Sequence, residues 1–217
     1  MPTCFMTTAY LAPVQYYCKL FHFKHVVIER YCNYVKQTYR NRCVIATTNG
    51  KLALSIPIEK CSGDKQLTKD VRIAEHGNWQ HLHWNAIISA YNSSPFFEYY
   101  QDDFYSFFEK KYTFLFDLNE QLRMMISNLL GITQNDSHIC FSTTFQSEIS
   151  GDNFDFREMI HPKKNDSIDT AFSPASYYQV FESKFGFLPN LSIIDLLFNM
   201  GPESLLVLKN SIDISLN

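Results

Sequence analysis

Apolar and polar positions along this chain switch repeatedly between the period of a strand and the period of a helix, and each switch predicts an element. Residues 4–8 form a short β-type run ending in two threonines. Residues 10–23 then place Leu11, Val14, Tyr17 or Cys18, and Phe21 on one helical face, with Pro13 suited to a first turn. Residues 25–29 centre on Val-Val-Ile, a buried strand by length and β-branching. Strand, helix, strand in that order predicts a crossover unit with a parallel pair. It puts the loop at 7–13 and the segment after Glu29 at the carboxyl ends of adjacent strands, where open sheets bind ligands.

Further on, β-rich runs at 43–48 and 52–58 flank Asn49-Gly50, the strongest short hairpin signal, since both residues tolerate positive φ. Residues 61–67 read as a polar loop and 71–74 as one more short strand. Asn78 is placed to cap a helix in which Trp79, His83, Ile87 and Tyr91 recur at steps of four and share a face. Ser94 and Pro95 open a second helix whose stripe of Phe96, Phe97, Tyr100, Phe104, Phe107 and Phe108 is core. A third carries Leu118, Leu122, Met125, Ile126 and Leu129 and ends at Gly131. Residues 137–145 read as a strand, and 147–173 as a polar, irregular segment that is either mobile or a lid. Residues 176–187 read as helical. Ser192 with Asp195 forms a capping-box pattern at the start of another helix, Gly201 closes it, and Pro202 opens a last helix through Leu208. These elements predict an α/β fold: a mixed sheet with an N-terminal strand-helix-strand crossover, a β-hairpin, then a helical segment. An α+β arrangement is the alternative. No repeat or linker interrupts residues 1–217, which favours one domain.

Composition narrows the function classes. The chain has 217 residues with 19 Phe, 13 Tyr and a net charge of -3, so its core is aromatic and it presents no field that attracts nucleic acid. Six cysteines at 4, 18, 32, 43, 61 and 140 contain no Cys-x-x-Cys pair and read as free thiols. The start lacks the basic and apolar stretches of a secretory signal, and no run approaches a membrane span, so a cytoplasmic location is expected. A homo-oligomer stays open.

The densest chemistry lies in residues 34–42, Tyr-Val-Lys-Gln-Thr-Tyr-Arg-Asn-Arg, with three cations, two amides and two phenols. Guanidiniums pair with phosphate or carboxylate at two points at once, and tyrosines add flat faces and hydroxyls, equipment for holding an anion. A solvated charged turn is the plainer reading of the same residues. His83 is either a satisfied core histidine or part of a pocket wall with Trp79 and Tyr91. His81 and His83 diverge on a helix, which argues against zinc. The acids Glu98, Asp102, Asp103 and Glu109 belong to a solvated face. Phosphate-cradling glycine loops and a Gly-x-Ser-x-Gly elbow are missing. The sequence identifies no cofactor.

Several segments together carry a family resemblance: residues 8–19, residues 36–43, Trp79 with His83 and Tyr91 ahead of Ser94-Pro-Phe-Phe, and residues 190–199. They resemble the WbqC-like family, a bacterial type, across nearly the whole chain and in order. Many relatives begin with a His-Gln-Pro-x-Tyr-Leu-Pro pattern where this chain has Met6-Thr-Thr-Ala-Tyr-Leu-Ala, so no role of that early histidine carries over. The positions retained are Tyr10, Tyr16, Lys19, Arg40, Asn41, Arg42, Trp79, His83, Tyr91 and Pro95.

Such genes often accompany those of surface-polysaccharide and sugar-nucleotide metabolism, so the resemblance implies work on an activated sugar, including acyl or aminoacyl transfer to an amino sugar. The expectation is then a transferase whose ligand is an anionic phosphorylated sugar. Lys36, Arg40 and Arg42 hold its diphosphate, Tyr10 and Trp79 stack on it, Tyr16, Lys19, Asn41 and Tyr91 complete the binding set, and His83 is the general base. The arginines and His83 are expected to share one cavity. The alternatives are a non-catalytic module that binds such a ligand or a partner protein in glycan assembly, and a purely structural interaction protein.

Overall fold

β1 (Thr3–Thr7) and β2 (His25–Glu29) pair in parallel, with Thr3 opposite His25 and Thr7 opposite Glu29, and α1 (Val14–His22) crosses between them. The computed structural model describes residues 2–60, 65–132, 138–164 and 169–212. α1 starts later than the apolar spacing suggests, because Leu11 takes a φ of 39° and Pro13 is the N-cap. The carbonyls of Leu11 and Ala12 accept from Ser192 Oγ at 2.7 Å and Ile193 N at 2.9 Å, so they are paired with a distant segment instead of a helical turn.

β3 (Arg42–Thr47) and β4 (Gly50–Ser55) form the expected hairpin, as a two-stranded antiparallel sheet of their own. Its turn is shifted by one residue. Thr47 pairs with Gly50, so Thr48 and Asn49 make the turn and Gly50 takes the positive φ of 96° that glycine adopts without strain. Residues 71–74 make single bridges, Arg72 to Phe114 and Ile73 to Ile58, in place of a strand.

Three helices follow in succession: α2 (Trp79–Tyr91), α3 (Phe97–Glu109) and α4 (Leu115–Leu129). Trp79, His83, Ile87 and Tyr91 are all buried, as their shared face requires. Asn78 stands at the N-cap in a left-handed conformation with no side-chain cap bond. Phe97, Tyr100, Phe104 and Phe108 are core, and the neighbouring acids are exposed. α3 begins at Phe97, and the Ser94 hydroxyl is buried without a partner instead of capping it. No helix among the described residues is long and apolar enough to cross a membrane.

β5 (His138–Phe141) joins β2 in parallel and β6 (Phe154–Asp155) joins β1 in parallel, completing a sheet in the order β5-β2-β1-β6. The chain is of the α/β class. β6 lies inside the stretch that reads as irregular, since two residues are too few to show a period. Ser137, residues 165–168 of that stretch, and residues 61–64 with Cys61 lie outside the described residues.

The expected helix at 176–187 is reduced to α5 (Glu182–Phe185). Tyr177 and Gln179 instead turn inward, both donating to Asp195 Oδ2, at 2.7 and 2.9 Å, and Gln179 also bonds Leu188 at both its N–H and its carbonyl. α6 (Ile193–Met200) and α7 (Ser204–Asn210) close the fold. Ser192 and Asp195 do not form the capping box: Ser192 Oγ donates to Leu11, and the Asp195 carboxylate accepts from Tyr91, Tyr177 and Gln179. Burial pushes Asp195 up to about 6 against those three donors.

Gly201, at φ 52°, ends α6 with its Cα against the Phe96 ring, where an added Cβ would lie 2.5 Å from a ring carbon. Gly201→Ala is expected to lose at least ~1–3 kcal/mol of stability from backbone strain alone. Urea denaturation measures it, and a neutral substitution would show that neither strain nor the clash operates.

Candidate functional site

All four strands of the parallel sheet end on one edge, and the segments leaving β2, β5 and β6 line a cavity of about 290 Å³. Cys32 and Asn33 come from the exit of β2, and Phe145 and Ser147 from beyond β5. Asp155, Arg157 and Glu158 come from the end of β6, and Arg40 from the stretch 34–42. This is the edge at which open parallel sheets hold ligands, and the volume is at the lower end for small-molecule sites.

Arg40 reaches the cavity because its loop is tied down on both sides. Gln37 takes a φ of 61°, and Thr38 Oγ1 closes the turn onto the Val35 carbonyl at 2.9 Å. Tyr10 N donates to the Tyr39 carbonyl at 2.8 Å, and Asn119 Nδ2 to the Arg40 carbonyl at 2.8 Å. The guanidinium is 2% exposed. Its Nη2 donates to Glu158 at 3.0 Å and toward Cys32 Sγ at 3.7 Å, while Nε has no partner. Glu158 is 58% exposed, so the carboxylate that neutralises this buried cation is held in place by little else.

Arg157 is more firmly engaged. Its Nε and Nη2 grip Asp155 at 2.9 and 2.6 Å, Nη1 donates to the Gln146 carbonyl at 2.6 Å, and the buried Glu29 lies 3.7 Å away. Burial raises Asp155, but the hydrogen bonds from Arg157 outweigh it and hold the carboxyl below its ordinary range. Glu29 is further fixed by Ser142 Oγ at 2.8 Å and Tyr31 N at 2.6 Å. His161 is pushed down by burial and then by Lys164, with Glu158 opposing and Arg40 adding to the effect. Lys163 bonds Gln37, joining the segment after β6 to the arginine loop.

The other residues singled out in the sequence fall elsewhere. Tyr10, Trp79 and His83 do come together: the Tyr10 hydroxyl meets His83 Nδ1 at 2.9 Å and both rings abut Trp79. That group is buried and none of it lines the Arg40 cavity, so Arg40 and His83 do not share one, while Arg42 meets Ser55, whose backbone also partners His83. Burial lowers His83 to about 4, with the Ser55 backbone as an opposing partner.

Lys19 is enclosed, bonded to Asp169 at 2.7 Å and lying over Phe156. Tyr91 spans Ala46 N and Asp195. Tyr16 is buried beside the Glu120–Arg123 ion pair with its hydroxyl unpartnered. Asn41 donates to the Ile56 carbonyl and Arg42 to Ser55 on the hairpin, and Lys36 is exposed. Arg40 is thus the predicted binding residue that lines the cleft. Cys32, Asp155, Arg157 and Glu158 were not among the candidates. The sequence signal for Asp155, Arg157 and Glu158 was an ion-rich segment following a strand too short to detect, whereas Cys32 lies just past the strand expected at 25–29.

The fold and the cleft define an α/β protein with an arginine-lined carboxyl edge, and its sequence places it among known proteins. A model of the WbqC-like protein family matches residues 8–207, and the chain belongs to that family. It is similar to the uncharacterized protein Rv1507c of Mycobacterium tuberculosis, 26% identical over 191 residues that cover 79% of this chain and 81% of the relative. No solved structure matches.

Two expectations follow. Lys19→Ala strands Asp169 in the interior and should cost roughly 3–5 kcal/mol by chemical denaturation, whereas a ligand-binding lysine would leave the ligand-free protein unaffected. His83 has a folded pKa below its ordinary value of 6.5, so its contribution is full above 6.5 and is lost as pH falls toward about 4. Between pH 7 and pH 5 that loss is about 2 kcal/mol, and an NMR titration of the ring should show it neutral until pH approaches 4. A ring that titrates near 6.5 contradicts its burial.

Proposed function

We propose that the cleft binds the phosphate of a phosphorylated sugar or sugar nucleotide, and that the protein is a cytoplasmic transferase of glycan assembly that moves an acyl or aminoacyl group. The observation that carries the binding step is Arg40: a buried guanidinium with one unpartnered donor, whose carboxylate partner is a half-exposed side chain. A phosphate that replaces Glu158 gains a two-point contact and satisfies Nε, and Glu158 swings into water at little cost. Arg157 supplies a second positive charge that Asp155 keeps fixed in direction. In this reading Tyr10, Trp79 and His83 support the loop, since Tyr10 holds the Tyr39 carbonyl next to Arg40. The segment after β6 acts as the wall of the site. One hydrophobic cluster running from Cys4 to Ile212 supports treating the chain as a single domain. A module that binds the same ligand without turnover would use the same cleft, and product analysis separates the two.

Thermal-shift measurements with a panel of sugar nucleotides and inorganic pyrophosphate test the binding step. Ligand at ~100 times its dissociation constant should add ~2.7 kcal/mol of stability. Glu158→Gln should bind about 1.5- to 5-fold tighter, the effect of removing one exposed competing carboxylate. No shift with any ligand in either protein removes the proposal.

A further inference from the structure

The described cysteines differ sharply in their surroundings. Cys4, Cys18 and Cys43 are fully buried, and burial pushes each thiol up, Cys18 to about 12, which leaves them protonated and inert. Cys140 is exposed on β5. Cys32 is also buried but lines the cleft. Its sulfur lies 3.7 Å from Arg40 Nη2, which donates toward it, and 3.2 Å from Thr68 Oγ1. Thr68 gives its own proton to the Cys32 carbonyl at 3.0 Å, so the thiol proton points at the Thr68 oxygen. Arg157 lines the same cleft. A thiol beside a guanidinium that can hold an anionic donor stands where a nucleophile would meet that donor. The unpaired Nε of the buried Arg40 is an independent sign that the cavity receives a ligand.

We propose that Cys32 is the nucleophile of this cleft and accepts an acyl group from a donor of the acyl-phosphate class. This rests on the anion-binding reading above. The donor's phosphate takes the place of Glu158 on Arg40. Cys32 Sγ forms a bond to the acyl carbonyl carbon. The bond from that carbon to the bridging phosphate oxygen breaks, and its electron pair leaves on the phosphate, which stays paired with the guanidinium. The thiol proton leaves on the departing phosphate, whose oxygens are more basic than a carboxylate. The resulting thioester keeps the acyl group activated for a second substrate.

The test uses the full chain and acetyl phosphate, with peptide mapping by mass spectrometry. One acetyl group on Cys32 is expected, removed by hydroxylamine, slowed by inorganic pyrophosphate, and lost in Cys32→Ser. Iodoacetate, an anionic alkylating agent, separates this step from the reading beneath it. Alkylation of Cys32 in preference to exposed Cys140, without acetylation, overturns the acyl transfer and leaves the anion site standing. Reaction at Cys140 with Cys32 untouched by both reagents overturns the nucleophile. The pyrophosphate thermal shift then reports independently whether the anion site exists.

Discussion

Parallel strands all finish on the same side of their sheet, so whatever follows them must share one strip of space. Here β2 ends in Glu29, β5 runs into Ser142, and β6 ends in Asp155 with Arg157 two residues on. A buried carboxylate such as Glu29, 1% exposed, requires donors close by, and it receives them from Ser142, Tyr31 and the neighbouring Arg157. The charges of Glu29, Asp155 and Arg157 meet on this edge because its strands are parallel, and they are matched there. Arg40 enters this matched set from outside the sheet, and its carboxylate is the more exposed one, 58% against 39% for Asp155.

The same logic explains why residues that look like ligand contacts sit in the interior. Lys19, Gln15, Asp169 and Asn190 satisfy one another, as do Tyr91, Tyr177, Gln179 and Asp195, and Thr8, Glu120 and Arg123. Each group ties segments far apart in sequence, α1 to the chain near 169 and 190, and α2 to α6. Polar residues that look like ligand contacts serve packing where both partners are buried.

The N-terminal crossover, the hairpin and the three successive helices were legible because period and turn chemistry are local. The hairpin turn moved by one residue because Gly50, not Asn49, takes the left-handed conformation, a choice that the dipeptide alone does not make. The expected helix at 176–187 failed because Tyr177 and Gln179 are drawn to Asp195, a tertiary pull stronger than local propensity. Arg40 was legible from its company of cations and amides. Cys32 and Glu158 were not, since a thiol and a carboxylate 126 positions apart acquire meaning only when β6 docks on β1.

The account depends on Arg40 Nε being an unfilled donor that an anion completes. Nitrogen-15 NMR of arginine side chains observes that N–H directly while inorganic pyrophosphate is added. The account predicts a saturable shift of the Arg40 Nε–H resonance, ahead of that of Arg42 on the hairpin. An Arg40 signal that stays still at concentrations where Arg42 has already moved would contradict it.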